Sequence, residues 1–163
     1  KVRFYGAATW SGFLVSPEDR GYLSLEELAV LAREAGGPDH HFRVIQLPFN
    51  LAMPEAWLSP NQKVGGGWLP FLEAAARYGM TVMASASLMQ GRLAHNLPAS
   101  VGALVKNLET DAERALQFVR SAPGVTCALV GMKSKDHVAK NLRLRHCTPL
   151  SEEEFRHLFS PSA

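Results

Sequence analysis

A chain of 163 residues fits one domain of ordinary size and can bury a sizeable core. Hydrophobic residues make up 47% and charged residues 20%, which excludes a disordered chain. Lys and Arg number 17 against 15 Asp and Glu, so a formal charge of +2 carries no nucleic-acid footprint. The start, Lys1-Val2-Arg3-Phe4-Tyr5, reads as a strand and not as a secretory leader, and the missing initiator Met points to a trimmed chain or a fragment. No apolar run approaches the roughly 18 residues of a membrane helix, so no membrane contact is expected.

In chain order, Val2-Arg3-Phe4-Tyr5 is β-prone, and Gly6 is expected to stop it. A loop with Trp10, Gly12 and Pro17 follows. Ser24-Leu25-Glu26-Glu27 spells a capping box, and Leu25, Leu28, Ala29 and Ala32 recur at helical spacing until Gly36-Gly37-Pro38. Arg43-Val44-Ile45-Gln46-Leu47 predicts a second strand, stopped by Pro48. Residues 50–67 predict a long polar loop, with Gly65-Gly66-Gly67 as a flexible hinge. Residues 68–78 predict a helix with Pro70 in its first turn.

Thr81-Val82-Met83-Ala84 predicts the third strand, with a loop from there to Leu108 broken by Gly91, Pro98 and Gly102. Thr110-Asp111-Ala112-Glu113 opens a capped helix with an Ala112, Ala115, Leu116, Val119 stripe. Residues 125–130 predict a fourth strand, apolar on both faces, as parallel strands covered on both sides are. Ser134 predicts the cap of a short helix through Asn141, and Ser151 that of a last helix with Phe155, Leu158 and Phe159. Four β-then-α units in series imply an α/β fold with parallel pairing. The fold is either an open doubly wound sheet or part of a (β/α) barrel. No Gly-x-Gly-x-x-Gly turn supports the first, and no Lys-Ser/Thr phosphate loop follows the glycine run.

The chemistry concentrates in Gly131-Met132-Lys133-Ser134-Lys135-Asp136-His137. A strand ends, Gly lets the chain turn, and Lys and Ser open a helix whose N-terminal N–H groups attract anions. This suits a phosphate, for instance the 2′-phosphate of NADPH. It reads equally as an ordinary N-cap with solvated lysines. His40-His41 beside Asp39 has no third ligand at metal spacing, so a turn is expected and no metal. Cys127 and Cys147 make no disulfide scaffold; both are expected reduced and buried, which implies a cytoplasmic location. Cys147 beside His146 lacks the third group that orients a nucleophile.

Gly131-Met132-Lys133-Ser134, followed by His137-Val138 and Asn141-Leu142, resembles the cofactor-adenosine segment of aldo-keto reductases. The likeness runs along nearly the whole chain. Arg3-Phe4-Tyr5-Gly6-Ala7-Ala8-Thr9-Trp10 is similar to that family's fifth barrel strand, and Val44-Ile45-Gln46-Leu47-Pro48-Phe49-Asn50-Leu51 to the sixth. Val82 through Leu93 is similar to the seventh strand with its phosphate-side loop, and Ala115-Leu116-Gln117-Phe118-Val119 precedes the eighth.

The resemblance implies that residues 1–163 form a single unit, the C-terminal half of a TIM barrel. It also implies an NADPH-dependent oxidoreductase that interconverts carbonyls and alcohols. Gln46 would bond the nicotinamide carboxamide, with Thr9 beside it. Leu88, Gly91 and Leu93 would line the pyrophosphate path. Gly131, Lys133 and Ser134 would hold the 2′-phosphate, with His137 and Asn141 near the adenine. Trp10, after a strand end, would line the substrate mouth. Barrel sites lie at strand C-termini, with phosphate near the last two strands.

Three positions depart from the family pattern: Ala8-Thr9 for a Ser-Asn pair, Ser85 for a stacking aromatic, and Lys140 for an acid. Each weakens the hold on the nicotinamide or the adenine. The family's catalytic Asp, Tyr, Lys and His lie on the first four strands, so no catalytic residue is assigned here and no activity is expected of the chain alone. A carbonyl substrate is expected only with the missing half. The rival reading is a non-catalytic nucleotide-binding or scaffold module, as in channel β subunits; an anion-binding half-barrel is the third. Four strands leave two open edges and one bare face, so a homodimer or higher oligomer is expected.

Overall fold

The computed structural model describes residues 2–105 and 108–159. Lys1, at the start of the first expected strand, and Lys106 and Asn107, at the end of the expected long loop, lie outside the described residues. Four strands form one parallel sheet in chain order: β1 (Tyr5–Ala8), β2 (Phe42–Pro48), β5 (Thr81–Ser85) and β6 (Cys127–Ala128). Between β2 and β5, the strands β3 (Pro60–Val64) and β4 (Gly67–Pro70) pair as an antiparallel hairpin. The helices are α1 (Leu25–Gly36), α2 (Glu55–Leu58), α3 (Phe71–Arg77), α4 (Ala99–Leu104), α5 (Asp111–Ser121), α6 (Lys135–Arg143) and α7 (Glu152–His157). No helix among the described residues is long and apolar enough to cross a membrane.

Alternation along the strands sorts the sheet into two faces. Ile45, Leu47, Val82 and Ala84 are buried beneath the helices, with Leu25, Phe71, Leu72, Phe118 and Val119. Val44, Gln46, Met83 and Ser85 point the other way and stay half-buried. The register sets Ala8, Gln46, Met83 and Cys127 in one row across that second face. Cys127 is exposed and Cys147 half-buried, which corrects the expectation that both are buried. Cys127 falls on the uncovered face of an edge strand, so nothing packs over it. Tyr5 is 51% exposed at the other edge.

Several element boundaries differ from the sequence expectation, each for a long-range reason. The first strand starts at Tyr5 and runs through Gly6, because β1 and β2 approach so closely there that only glycine fits. Residues 50–67 are not a loop: they hold α2 and the hairpin. Gly65 and Gly66, with φ of 57° and 89°, form its two-residue turn instead of a hinge. Trp68, Leu69 and Pro70 belong to β4, so the helix begins at Phe71. The stretch after β5 carries a 3₁₀ turn, Met89–Ala94, and α4. The expected six-residue fourth strand keeps only Cys127 and Ala128, flanked by single bonds from Thr126 N–H to Val82 (2.9 Å) and Leu129 N–H to Ala84 (2.8 Å). With a neighbour on one side only, its remaining residues have no second ladder to join.

The capping expectations concern residues three apart; the structure bears out all four N-caps, but at Ser24 Glu27 does not reach back, so the box expected there is incomplete. Ser24, Thr110, Ser134 and Ser151 each accept the N–H three residues on. The reciprocal carboxylate bond completes the box at Thr110 and Ser151. Two buried amides lock the hairpin to the β1–α1 connection. Asn61 donates to Phe13 and Val15 carbonyls at 2.9 Å each, and Gln62 accepts the Leu25 N–H at 2.9 Å. Gln62 thereby satisfies an otherwise orphaned amide of the first turn of α1. On the opposite flank Phe155 carries α7 into the core, packed 5.2 Å from both Phe118 and Trp57. A buried aromatic of this size contributes about 2–3 kcal/mol.

Candidate functional site

The connections that leave β5 and β6 build one wall each of a cleft. After β5, Ala86, Met89 and Gln90 adopt positive φ (54°, 46° and 56°), and Gly91 follows at 89°. The buried Ser87 hydroxyl donates to the Ala84 carbonyl at 3.2 Å and pins this turn to the strand. Gly91 and Leu93 N–H both return to the Leu88 carbonyl, at 2.9 and 3.2 Å. After β6, Leu129 to Gly131 lead to Ser134, whose Oγ accepts the His137 N–H at 3.2 Å and starts α6. The third wall is the start of α5. Together these segments enclose a cleft of about 830 Å³, within the usual range for ligand pockets.

Of the residues expected to meet a cofactor, Leu88, Gly91, Gly131, His137 and Asn141 line the cleft. Lys133 and Ser134 do not line it; they are exposed in the turn between Gly131 and His137. Leu93 is half-buried in the 3₁₀ turn behind the wall. Thr9 and Gln46 lie apart, at the ends of β1 and β2, where the Thr9 N–H donates to the Gln46 carbonyl at 3.0 Å. The Thr9 hydroxyl accepts the Gly12 N–H at 2.9 Å, and Gln46 faces the uncovered side of the sheet. Trp10 follows at 60% exposure.

The sequence reading missed a charged floor made by Glu109, Asp111, Arg114 and Lys140. Asp111 accepts the Leu97 N–H at 3.1 Å and Arg114 at 2.9 Å. The Leu97 N–H, then Arg114, hold its carboxyl below the usual aspartate value. Arg114 also donates to the Leu108 carbonyl at 2.6 Å, while its buried Nε has no partner among the described residues. Lys140 pairs with Asp136 at 2.7 Å on the same helix and depresses that carboxyl. Two acids and two bases line the cleft, so it is electrically mixed. The one available signal was local: Asp111 and Arg114 sit three apart on the helix that Thr110 caps. Among the described residues no cluster of His, Cys, Asp or Glu could hold a metal ion.

No protein-family model matches the sequence, and no curated protein matches it. Solved structures do. The chain is similar to the aldo-keto reductase AKR11C1 of Bacillus halodurans in its holo form, with a TM-score of 0.56 and 18% identity, over 96% of this chain and 49% of that one. The apo form of the same enzyme gives 0.53 and 16%, over 96% and 60%. A thermostable aldo-keto reductase solved with the inhibitor epalrestat gives 0.57 and 19%, over 88% and 46%. The chain spans about half the length of the solved structures it matches. Its fold is therefore part of the (β/α) barrel found in aldo-keto reductases, which fits the all-parallel sheet in chain order.

Proposed function

We propose that residues 1–163 are the C-terminal, cofactor-holding half of an NADPH-dependent aldo-keto reductase, an oxidoreductase of the carbonyl/alcohol class. The observation that carries this reading is the cleft between the β5 and β6 connections. It lies at the C-terminal ends of the last two strands, where barrel enzymes place phosphate. A bound nicotinamide dinucleotide supplies or accepts hydride; the chain's part is to hold it. The residues present fit its adenosine and phosphate end. The first-turn amides of Lys135 and Asp136 have no intrahelical acceptor. Arg114, in the cleft wall, keeps a buried N–H without a partner among the described residues. A side chain at Gly131 would meet only open space, so backbone and ligand can approach.

On this reading Lys133 and Ser134 take the 2′-phosphate, Leu88, Gly91 and Leu93 follow the pyrophosphate, and His137 and Asn141 flank the adenine. Gln46 and Thr9 reach the nicotinamide, and Trp10 borders the substrate. On this reading no proton donor for a carbonyl is assigned within the chain, and two of its three tyrosines are already engaged. Tyr22 donates to the Asn61 carbonyl at 2.8 Å and Tyr78 to Glu26 at 3.3 Å. Burial first, then the neighbouring glutamates, raises both phenol pKa values, away from the range a general acid needs. A carbonyl is thus turned over only when the other half of a barrel is supplied. Alone, the chain associates with a second copy through its open sheet edges. Titration with NADPH, followed by its fluorescence, tests the assignment: saturable binding is expected, and its absence overturns it.

A further inference from the structure

The cleft walls α5 and α6 are joined by a charged contact that cofactor binding does not itself require. The Glu113 side chain is 4% exposed, and its two oxygens are divided between two tasks. Oε2 accepts from the N–H groups of Glu109 (3.2 Å) and Thr110 (2.9 Å) and from the Thr110 hydroxyl (3.0 Å), which completes the cap of α5. Oε1 is given over to Arg143, whose Nε and Nη2 donate at 3.1 and 2.7 Å. Arg143 also reaches Glu109 at 3.1 Å. A cap works as well with Gln as with Glu. The charge on Glu113 therefore serves Arg143.

Apolar packing holds α6 only at its C-cap, Leu144, which is buried, while none of the residues of the helix itself is. Its last residue, Arg143, reaches a carboxylate on α5, 30 positions earlier in the chain. His137, Lys140 and Asn141, one and two turns back, line the cleft. We infer that Arg143 and Glu113 are positioning residues whose ion pair fixes α6 against α5 and so sets the width of the cleft for a dinucleotide tail. The inference rests on the reading of that cleft as the NADPH site.

The test measures amide hydrogen exchange and NADPH affinity together, in the 163-residue chain and in Glu113→Gln, Arg143→Met and Arg77→Met. Glu113→Gln keeps the α5 cap. It is expected to leave α5 protected, to speed exchange in α6 about tenfold, and to weaken NADPH about five- to tenfold. Arg143→Met should do the same. Arg77→Met, which removes an exposed pair on α3, should change neither reading. Unchanged exchange in α6 overturns the inference, as does faster exchange in α6 with unaltered NADPH affinity. Equal acceleration in α5 and α6 reports general loosening and also overturns it. Faster exchange confined to α6, in a chain that never binds NADPH, upholds the clamp and removes the cofactor reading.

Discussion

Gly6 of β1 lies against Val44 of β2 so closely that a Cβ built on Gly6 would overlap the Val44 carbonyl oxygen and stand 2.9 Å from its Cα. The obstacle is backbone on a central strand, which cannot swing aside as a side chain can. Gly6→Ala is expected to cost at least about 2 kcal/mol, read as a lower urea midpoint. An unchanged midpoint would mean that the two strands do not approach in this way.

Glu113 makes stability depend on pH in a definite direction. Burial, the largest influence, pushes its carboxyl up, but the Thr110 N–H, the Thr110 hydroxyl and Arg143 together hold it below the ordinary 4.5. A depressed carboxyl contributes in full above its unfolded value and is lost as pH falls through its folded value. The thermal midpoint should therefore stay level down to about pH 5 and fall below that. Asp111, Asp136 and Glu154, also depressed, add to the fall. The share due to Glu113 is the difference from Glu113→Gln, and parallel curves for the two proteins would refute it.

On the proposed reading, Lys133 should separate the two dinucleotides. If it meets the 2′-phosphate, Lys133→Glu should weaken NADPH about tenfold or more and NADH far less, since a charge-assisted contact is replaced by repulsion. Raising salt should shrink the gap. An equal effect on both dinucleotides would remove Lys133 from the phosphate site.

The purified chain should not oxidise NADPH with an aromatic aldehyde above the rate of buffer. Tyr22 and Tyr78 are both engaged as donors elsewhere, each with a raised pKa, and Tyr5 lies at the start of β1, away from the C-terminal strand ends where barrel sites sit. Sustained turnover would show that a proton donor exists within these residues.

Light scattering should give at least twice the mass of one chain. β1 and β6 each have one neighbour in the four-stranded sheet, and Val2, Phe4, Tyr5 and Trp10 are exposed at and around β1. Two sheets of four parallel strands reach the eight of a closed barrel, the number at which side chains just fill the interior. A single-chain mass at micromolar concentration would contradict this.

What the sequence determined by itself was set within a few residues. Ser24, Thr110, Ser134 and Ser151 each cap a helix by a bond to the third residue along, and the strand cores of β2 and β5 follow from short β-prone runs between turn residues. The order of those elements already implied a parallel sheet, and residues on the β6 connection already suggested an anion site. Tertiary structure decided the remainder, because its contacts join segments that local pattern cannot relate. Gln62 meets Leu25 across 37 positions, and Arg143 meets Glu113 across 30. The hairpin of residues 60–70 is tied to the rest of the fold where Asn61 and Gln62 find carbonyls and an amide near α1. Cys127 is exposed, against its apolar surroundings in the sequence, because burial depends on which neighbour covers a face, and that neighbour is not written in the strand itself.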